Sequence, residues 1–394
     1  MSRRRRRKDE PDVDLDALEA ATTGLPSPLV TVDLDAFDAN ADDLAHRAAG
    51  RLIRVASKSV RCRTLLRRVL DRPGFAGVMA YAVPEAVWLV RHGFTDVFVA
   101  YPSVDADWIR TVSEDEHLRD EVTLAVDSVE HVRFLTQLVG TGSGVRVALD
   151  VDCSLRVGRV HLGVRRSPLR TPADALAVTR AALDAGLRVA GVMFYDAQVA
   201  GLPDKGPHLV TLKKRSLADL AERRAPLVEA VRALTDLDFV NGGGTGSLGR
   251  LAAADTLTEF AAGSGLYGPT LFDAYDDFAP RPAMTYALPV VRRPGKGIVT
   301  AYSGGYVASG EPGWTRVPSP VGRALSLIRS EAAGEVQTPL RGSAADRLAL
   351  GDRVWMRGAK AGELLERFDH VHLIQQGRLV ETVPSYRGEG QNFG

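Results

Sequence analysis

The chain has 394 residues, of which 45% are hydrophobic and 25% are charged, and its formal net charge is +1. This composition is typical of a globular protein with one large domain and a smaller one. A nearly neutral chain is not expected to bind nucleic acid or an anionic membrane through its overall charge. No stretch reaches the ~18 apolar residues of a membrane span. The two cysteines argue against a disulfide scaffold and indicate a cytoplasmic protein.

The N-terminal segment, residues 1–27, is predicted to be a solvated tail followed by a helix. The run Arg3–Lys8 is strongly basic, and acidic residues follow it directly. A charge run of this kind is usually exposed to solvent, and a nucleic-acid-binding arm is the alternative interpretation.

Short apolar runs then alternate with amphipathic stretches across about 230 residues. Because these runs are apolar rather than alternating, they indicate parallel strands that are buried on both faces. Eight such units predict a (β/α)8 barrel over residues 28–282, with an open doubly wound sheet as the alternative. The predicted strands are Leu52–Lys58, Gly77–Ala82, Val97–Pro102, Thr123–Asp127, Val145–Asp152, Val189–Tyr195, Asp238–Asn241 and Glu259–Gly263.

The pattern changes after Pro280, where alternating β-like segments are separated by glycine and proline turns. This pattern predicts an antiparallel β-rich domain over residues 283–394. The early strand Pro28–Leu34 lies outside the eight and is a candidate to pair with that domain. The stretch Ser326–Arg347 is rich in small and charged residues and is interpreted as a mobile loop.

Lys58 stands at the end of the first predicted barrel strand. Catalytic groups in such barrels project from the carboxyl ends of the strands. A lysine that is desolvated there can act as a nucleophile towards a carbonyl group. The alternative interpretation is a solvated surface lysine.

Two glycine-rich loops follow the seventh and eighth predicted strands, NGGGTGSL at Asn241–Leu248 and AAGSGLYG at Ala261–Gly268. Glycines let the main chain approach a ligand closely, and successive N–H groups can bind an anion. The loops after strands seven and eight are the recurrent phosphate site of these barrels, although a plain flexible loop is the alternative. A phosphate ligand together with a strand-end lysine indicates pyridoxal phosphate (PLP).

Taken as a set, these segments resemble the fold-type-III PLP enzymes, the alanine-racemase-like barrel group. Within that group the chain is most similar to the D-threonine aldolase and D-serine dehydratase branch, which includes proteins called amino acid deaminase/aldolase. The likeness extends from Pro28 to Gly394. It rests on the segments PLVTVDLDAF, LDVDCSLR, HLGVRRSPLR, GVMFYDAQVAG, NGGGTGSL, EFAAGSGLYGPTLFD and KAGELLERFD, and on the strand that carries Lys58.

The resemblance implies a role for each matching residue. Lys58 would form the internal aldimine with PLP, and Lys58 or Tyr306 would supply a base. Arg156, Arg159 and His161 compete for the position of a family residue that approaches the cofactor ring. The residues implied in cofactor binding are Lys58, Arg156, His161, Tyr195, Gln198, Gly243, Gly244, Thr245, Gly246, Ser264 and Tyr267.

The chain departs from the branch at the metal pair that its lyases usually carry near the C-terminus, His-x-Cys or His-x-Asp. The matching segment RGAKAGELL has Gly358 and Lys360 in those places. Glycine has no ligand atom and a protonated lysine repels a cation, so we expect no divalent metal there. We predict instead that Lys360 is catalytic and helps electrostatically. His370 and His372 are the next candidates for ligands, and Asp196 replaces an expected glutamate.

The leading hypothesis is a PLP-dependent lyase that acts on a β-hydroxy D-amino acid, by retro-aldol cleavage or its reverse, or by dehydration and deamination. A PLP-dependent amino acid racemase that uses Tyr302 or Tyr306 is the first alternative. A non-catalytic PLP-binding protein is the alternative of another class, and the C-terminal β domain counts against it. In this family that domain normally completes the site of a partner barrel, so we expect a homodimer with no nucleic-acid or membrane partner.

Overall fold

The computed structural model describes residues 13–204, 206–322 and 324–394. The chain divides into two compact units. The barrel unit consists of Leu44–Lys58, Leu66–Gly263 and Phe393–Gly394. The sheet unit consists of Ser59–Leu65, Ser264–Asn392 and the described part of Met1–Asp43. None of the helices that the structure describes is long and apolar enough to cross a membrane.

The barrel unit is built on eight parallel strands that close into a barrel. Each strand pairs with the next along the chain, and the eighth, Glu259–Ala262, pairs with the first, Leu52–Ala56. The prediction of a (β/α)8 barrel is therefore confirmed, and the open-sheet alternative is wrong. In chain order the barrel strands are Leu52–Ala56, Phe75–Ala80, Val97–Val99, Val122–Val126, Arg146–Asp150, Arg188–Phe194, Phe239–Gly242 and Glu259–Ala262.

Helices connect the successive barrel strands. Because the strands are covered on both faces, their residues are apolar almost throughout, as in Ile53 and Val55, which are fully buried. The helices wholly in the barrel unit are Val83–Arg91, Ala106–Glu114, Glu116–Glu121, Val129–Val139, Pro172–Asp184, Ala197–Ala200, Pro207–Arg232 and Leu248–Leu251. Two more helices, Leu34–Arg47 and Arg63–Leu70, include residues of both units.

The interior of the barrel is packed with side chains, and one buried cation lies near the amino ends of the strands. Arg54 is 1% exposed. It donates to Glu259 Oε1 at 2.7 Å and to Asp96 Oδ2 at 2.8 Å. A buried charge held by two carboxylates is costly to unpair, so this end of the barrel is a structural anchor. The opposite, carboxyl ends of the strands bear Lys58 and the glycine-rich loop.

A short hairpin that the sequence pattern did not predict follows the fifth barrel strand. Its strands, Leu155–Val157 and Val160–Leu162, pair with each other and form a two-stranded sheet. They are too short and too exposed to produce an alternating apolar pattern. The hairpin places several arginines together, and they are described below.

The sheet unit contains a nine-stranded sheet in which most neighbours are antiparallel. The predicted antiparallel β-rich domain is confirmed. The strand Leu29–Asp33 pairs antiparallel with Met284–Gly295 and parallel with His370–Gln375. The other strands are Ile298–Tyr302, Ser319–Pro320, Ser326–Leu327, Gln337–Arg341, Arg353–Arg357 and Arg378–Pro384. Its helices are Leu15–Ala21 and Ser264–Tyr267, and its 3-10 turns are Thr270–Ala274, Trp314–Arg316, Ala345–Arg347, Gly362–Arg367 and Arg387–Glu389.

The segment Ser326–Arg347, expected to be a mobile loop, contains two of these strands, and that expectation was wrong. Gln337–Arg341 pairs along its whole length with Ile298–Tyr302. Thr338 and Leu340 are fully buried in this pairing. Cross-strand hydrogen bonds and burial outweigh a local composition that favours a loop.

Candidate active site

Lys58 lies just beyond the first barrel strand, in the 3-10 turn Ser57–Ser59. The strand was predicted to include Lys58, but it ends at Ala56. The Ser57 hydroxyl donates to the Met79 carbonyl of the second strand at 3.0 Å, which anchors the turn. Lys58 is exposed, so its amine is accessible to a ligand.

Tyr101, which sequence reasoning missed, lies beside this amine. Lys58 Nζ donates a hydrogen bond to the Tyr101 hydroxyl. The same nitrogen lies 5.0 Å from the centroid of the Tyr101 ring. Tyr101 lies two residues after the third barrel strand. This position at a strand end is the one feature of the sequence that could have indicated a site residue.

Tyr195 is the first residue after the sixth barrel strand. Burial raises the pKa of Tyr195, and the Lys58 ammonium opposes this shift. The phenol is therefore protonated at neutral pH and lies within electrostatic reach of Lys58. The structure thus brings Lys58, Tyr101 and Tyr195 to the same end of the barrel.

The loop after the seventh strand places its main chain against Tyr195. A Cβ atom on Gly244 would lie 2.9 Å from Ala200 Cβ and 3.7 Å from Tyr195 Cε2. Gly243 has a φ of 73°, in the region that favours glycine. The Thr245 carbonyl accepts from Arg47 Nη1 at 2.9 Å. The predicted phosphate loop, which also includes Gly246, therefore packs closely against Ala200 and Tyr195 of the barrel unit.

Asp196 holds this loop in place through Ser247. The Ser247 hydroxyl donates to Asp196 Oδ1 at 3.0 Å and accepts the Gly244 N–H at 3.0 Å. Asp196 is fully buried, and burial raises the pKa of its carboxyl from 3.8 to about 7, against the opposing charges of Arg224 and Lys213. From the sequence, Asp196 is distinguished only as a replacement for an expected glutamate. The hydrogen bond from Ser247 joins residues 51 positions apart, so no local sequence pattern reveals it.

A second carboxyl with a raised pKa ends the fifth barrel strand. Asp150 is 8% exposed. Burial and the nearby Asp127 charge raise the pKa of Asp150 from 3.8 to about 7, while Arg166 opposes the shift. Asp127 directly follows the fourth strand, so both carboxyls lie at the Lys58 end of the barrel. A group that titrates near neutral pH is suited to proton transfer. Neither residue was identified from the sequence.

The predicted ring-approaching residues lie on or near the hairpin after the fifth strand. Arg156 Nη2 donates to Asp152 Oδ2 at 2.6 Å. His161 Nε2 lies 3.1 Å from the Val164 carbonyl oxygen. Gln198 donates to the Cys153 carbonyl at 2.6 Å, and its buried Oε1 has no hydrogen-bond partner among the described residues. Arg159 lies on the same hairpin, so the three alternatives for the position near the ring remain neighbours.

The remaining predicted site residues belong to the sheet unit and are described by their own neighbours. Ser264 begins the helix Ser264–Tyr267. Tyr267 is fully buried, and its hydroxyl donates to the Val60 carbonyl at 2.7 Å. Tyr306 shares a hydrogen bond of 2.8 Å with Ser303 Oγ. Its ring packs against those of Tyr286 and Phe368, with centroid distances of 5.3 and 5.7 Å.

The segment in place of the metal pair is also part of the sheet unit. The Gly358 carbonyl accepts the Thr270 N–H at 3.1 Å, and Lys360 Nζ donates to Ser309 Oγ at 3.3 Å. Among the alternative ligands, His370 is exposed and His372 Nδ1 lies 2.9 Å from Thr382 Oγ1. Within the described ranges, no group of three or more His, Cys, Asp or Glu residues is arranged to hold a metal ion.

Comparison with known proteins decides the family. The model of the alanine racemase N-terminal domain matches residues 32–270. The chain belongs to the alanine racemase N-terminal domain family. The resemblance to the fold-type-III PLP enzymes is confirmed.

The chain is also similar to individual proteins, one by sequence and two by solved structure. The chain is 26% identical to D-threonine aldolase from an Arthrobacter species over 310 residues, which cover 73% of this chain and 76% of that protein. The crystal structure of D-threonine aldolase from Filomicrobium marinum has a TM-score of 0.77 at 21% identity and covers 92% of this chain and 96% of that one. D-threo-3-hydroxyaspartate dehydratase from a Delftia species has a TM-score of 0.69 at 20% identity and covers 92% and 98%. The two solved structures share the fold of this chain.

The alanine racemase fold implies PLP, and the barrel residues fit this cofactor. Lys58 presents an accessible amine, as the carbonyl group of PLP requires. Gly244 supplies main chain at a point where a Cβ would lie too close to Ala200. The unpartnered Oε1 of Gln198 offers a buried polar atom at the same end of the barrel. Lys58, Tyr195, Gln198 and the loop Gly243–Gly246 are therefore the residues that would hold PLP.

Gly244→Ala is expected to weaken PLP binding by about five- to a hundredfold, because the added methyl group would displace the loop or Ala200. Titration of the apoprotein with PLP, followed by absorbance, measures this change. Gly249→Ala is the matched control, since the nearest described atom to its Cβ would be Arg47 Cδ at 4.0 Å, an ordinary van der Waals contact. Unchanged PLP affinity in a folded Gly244→Ala protein would contradict the proposed position of the loop.

Proposed function

We propose that this chain is a PLP-dependent lyase that acts on β-hydroxy D-amino acids, either by retro-aldol cleavage or its reverse, or by dehydration and deamination. The observation that supports it most directly is the Lys58 amine, accessible beside Tyr101 and Tyr195 at the carboxyl end of an alanine racemase-type barrel. The similarity to D-threonine aldolase over about three quarters of both chains supports the choice of substrate class.

The residues of this site suit a reaction that breaks a bond at the substrate Cα. When bound, PLP withdraws electron density from that carbon. Lys58 Nζ is positioned to bind the cofactor and to hold or release a proton, and its hydrogen bond to the Tyr101 hydroxyl offers a route for proton exchange. Tyr195 remains protonated because burial raises its pKa, so its ring flanks the site without adding charge. Asp150 adds a carboxyl that exchanges a proton near neutral pH.

Product analysis with a panel of D- and L-β-hydroxy amino acids tests the proposal. An aldolase would break the Cα–Cβ bond and release glycine and an aldehyde, whereas a dehydratase would release a keto acid and ammonia. Activity confined to D-enantiomers with either product set would support the proposal. Rapid exchange of the Cα proton in deuterated water with inversion, and neither aldehyde nor ammonia, would overturn it in favour of a racemase. PLP binding without any turnover would favour a non-catalytic binding protein.

We further propose that turnover needs no divalent metal at the Gly358 segment, because Gly358 and Lys360 supply no ligand there. The activity is expected to survive EDTA and not to rise with Mn²⁺ or Zn²⁺. Lys360→Ala is expected to lower turnover by about ten- to a hundredfold, with a smaller effect on PLP affinity, if its ammonium stabilises developing charge. Lys296→Ala, an exposed lysine in the same unit, is the control.

Two outcomes would contradict the proposed metal-free reaction or the proposed role of Lys360. If EDTA abolishes activity and a divalent ion restores it, the metal-free proposal is wrong, and His370 and His372 become the residues to replace. If Lys360→Ala is as silent as Lys296→Ala, Lys360 has only the local role seen in its contact with Ser309. Ser309 also binds Glu363 through its main-chain N–H at 2.7 Å, which would account for such a role.

A further inference from the structure

A cavity of about 440 Å³ lies beside the hairpin that follows the fifth barrel strand. None of the described residues that line it is an aspartate or a glutamate. Four arginines and one histidine do: Arg156, Arg159, Arg165, Arg166 and His161. A concave surface that bears several arginines concentrates a positive potential and attracts anions.

The described protein groups neutralise only part of this charge. Arg156 donates to Asp152, but Arg159 and Arg165 make no hydrogen bond or ion pair with any described residue. The Arg166 charge interacts with the Asp150 carboxyl. Burial raises the pKa of Asp150 to about 7, so this carboxyl is only partly ionised near neutral pH and balances only part of the Arg166 charge. The cavity therefore retains a positive charge that an anionic ligand would balance.

Tyr195 links the cavity to the candidate active site. The Arg166 guanidinium carbon lies 5.6 Å from the centroid of the Tyr195 ring. The Gly244 loop approaches the ring of the same tyrosine. The Lys58 charge lowers the pKa of Tyr195 against the effect of burial. The cavity and the glycine-rich loop therefore both lie next to Tyr195, but they are formed by different residues. An anion in the cavity would lie close to a substrate at Lys58 and would be distinct from the phosphate at the loop.

We propose that this arginine-lined cavity binds a carboxylate on the side chain of the substrate, which makes an acidic β-hydroxy amino acid the preferred substrate. The inference rests on the proposed function. A guanidinium binds a carboxylate through two parallel N–H donors, a geometry that a hydroxyl or methyl side chain cannot use. The arginines are exposed, so solvent and salt weaken each contact, and the preference should decrease as ionic strength rises.

Binding of unreactive carboxylates to the holoenzyme tests the cavity without turnover. Succinate and butyrate have no amine and cannot react with PLP, and they differ by one carboxylate. Calorimetry at low ionic strength is expected to show succinate bound about tenfold more tightly than butyrate. The double variant Arg159→Gln, Arg165→Gln should lose this preference. Arg180→Gln, an exposed arginine on the helix Pro172–Asp184, should keep it.

The turnover arm uses D-threo-3-hydroxyaspartate and D-threonine. The ratio of their kcat/KM values is expected to favour the acidic substrate and to fall about tenfold or more in the double variant, but not in Arg180→Gln. Equal binding of succinate and butyrate to the wild-type protein would overturn the cavity inference, as would a preference that survives in the double variant.

The two proposals fail separately. If both amino acids are inert while succinate is still preferred in an Arg159- and Arg165-dependent manner, the proposed lyase function fails and the anion site is supported. If D-threonine is cleaved while succinate shows no preference, the lyase function is supported and the acidic substrate is wrong. Tight binding of inorganic phosphate that displaces succinate without loss in the double variant would show an unselective anion effect elsewhere and overturn the inference.

Discussion

Lys58→Ala is expected to reduce turnover by a factor on the order of a thousand or more and to abolish covalent attachment of PLP, since alanine has no amine to bond or to carry a proton. Borohydride reduction followed by peptide mapping measures the attachment. The wild-type protein should carry the reduced cofactor on the peptide that contains Lys58. The variant should carry none, although it keeps its fold, because the side chain is exposed and its loss leaves no buried cavity.

Lys214→Ala is the matched control for this experiment. Lys214 is exposed on the helix Pro207–Arg232 of the same unit. Its replacement should leave the labelled peptide and the turnover unchanged. Cofactor found on a different peptide of the wild-type protein would show that another lysine serves the reaction.

Asp196→Ala is expected to have the second large effect, through the loop rather than through the reacting atoms. It removes the acceptor of the Ser247 hydroxyl, which in turn holds the Gly244 N–H. It also leaves a cavity at a fully buried position. We expect the free energy of unfolding to fall by about 2–4 kcal/mol and PLP affinity to fall by about tenfold or more. Chemical denaturation and PLP titration measure the two effects.

Asp196→Asn separates the charge from the hydrogen bond. Asparagine can still accept from Ser247 but does not titrate. In the wild type the pKa of Asp196 rises from 3.8 to about 7 on folding, so between about pH 4 and pH 7 the native state keeps a proton that the unfolded state releases. This group therefore makes the protein less stable as pH rises through that window. The variant should lose up to about 4 kcal/mol of this pH dependence and retain PLP affinity.

Denaturation at about pH 5 and about pH 8 provides the check, and this interval contains about 3 kcal/mol of the effect. Asp150 has a carboxyl whose pKa is raised to about the same value, so part of the slope should persist in the Asp196→Asn protein. A slope identical to that of the wild type would show that Asp196 does not titrate in this range. A loss of PLP affinity as large as in Asp196→Ala would show that its charge, rather than its acceptor oxygen, holds the loop.

The barrel was predictable because its signal is repeated eight times. Each strand is an apolar run of a few residues that is covered on both faces, and this requirement is visible in any window of the sequence. The local detail was less accurate: the first strand ends at Ala56, because the Ser57 hydroxyl bonds to the second strand and turns the chain before Lys58. The domain limits, the homodimer and the cytoplasmic location stay predictions.

Part of the candidate site was visible for a different reason. Lys58 and the loop Gly243–Gly246 carry chemistry in their own residue types, and the strand order placed both at one end of the barrel. Tyr101, Asp150 and Asp196 carry no such mark. A tyrosine or an aspartate after a strand is common, and only its neighbours in space show whether it contacts the lysine, loses its solvent or holds a loop.

The sequence by itself determined the barrel and the β-rich second domain, and it predicted the lysine and the glycine-rich loop as site residues, since each depends on periodicity, residue type or position along a strand. The tertiary structure alone decided the contact of Tyr101 with Lys58, the raised pKa values of Asp150 and Asp196, and the gathering of arginines at the hairpin after the fifth strand. These properties arise from burial and from charges brought together by folding. Electrostatic energies depend on distance and solvent exposure in space, and neither is encoded in separation along the chain.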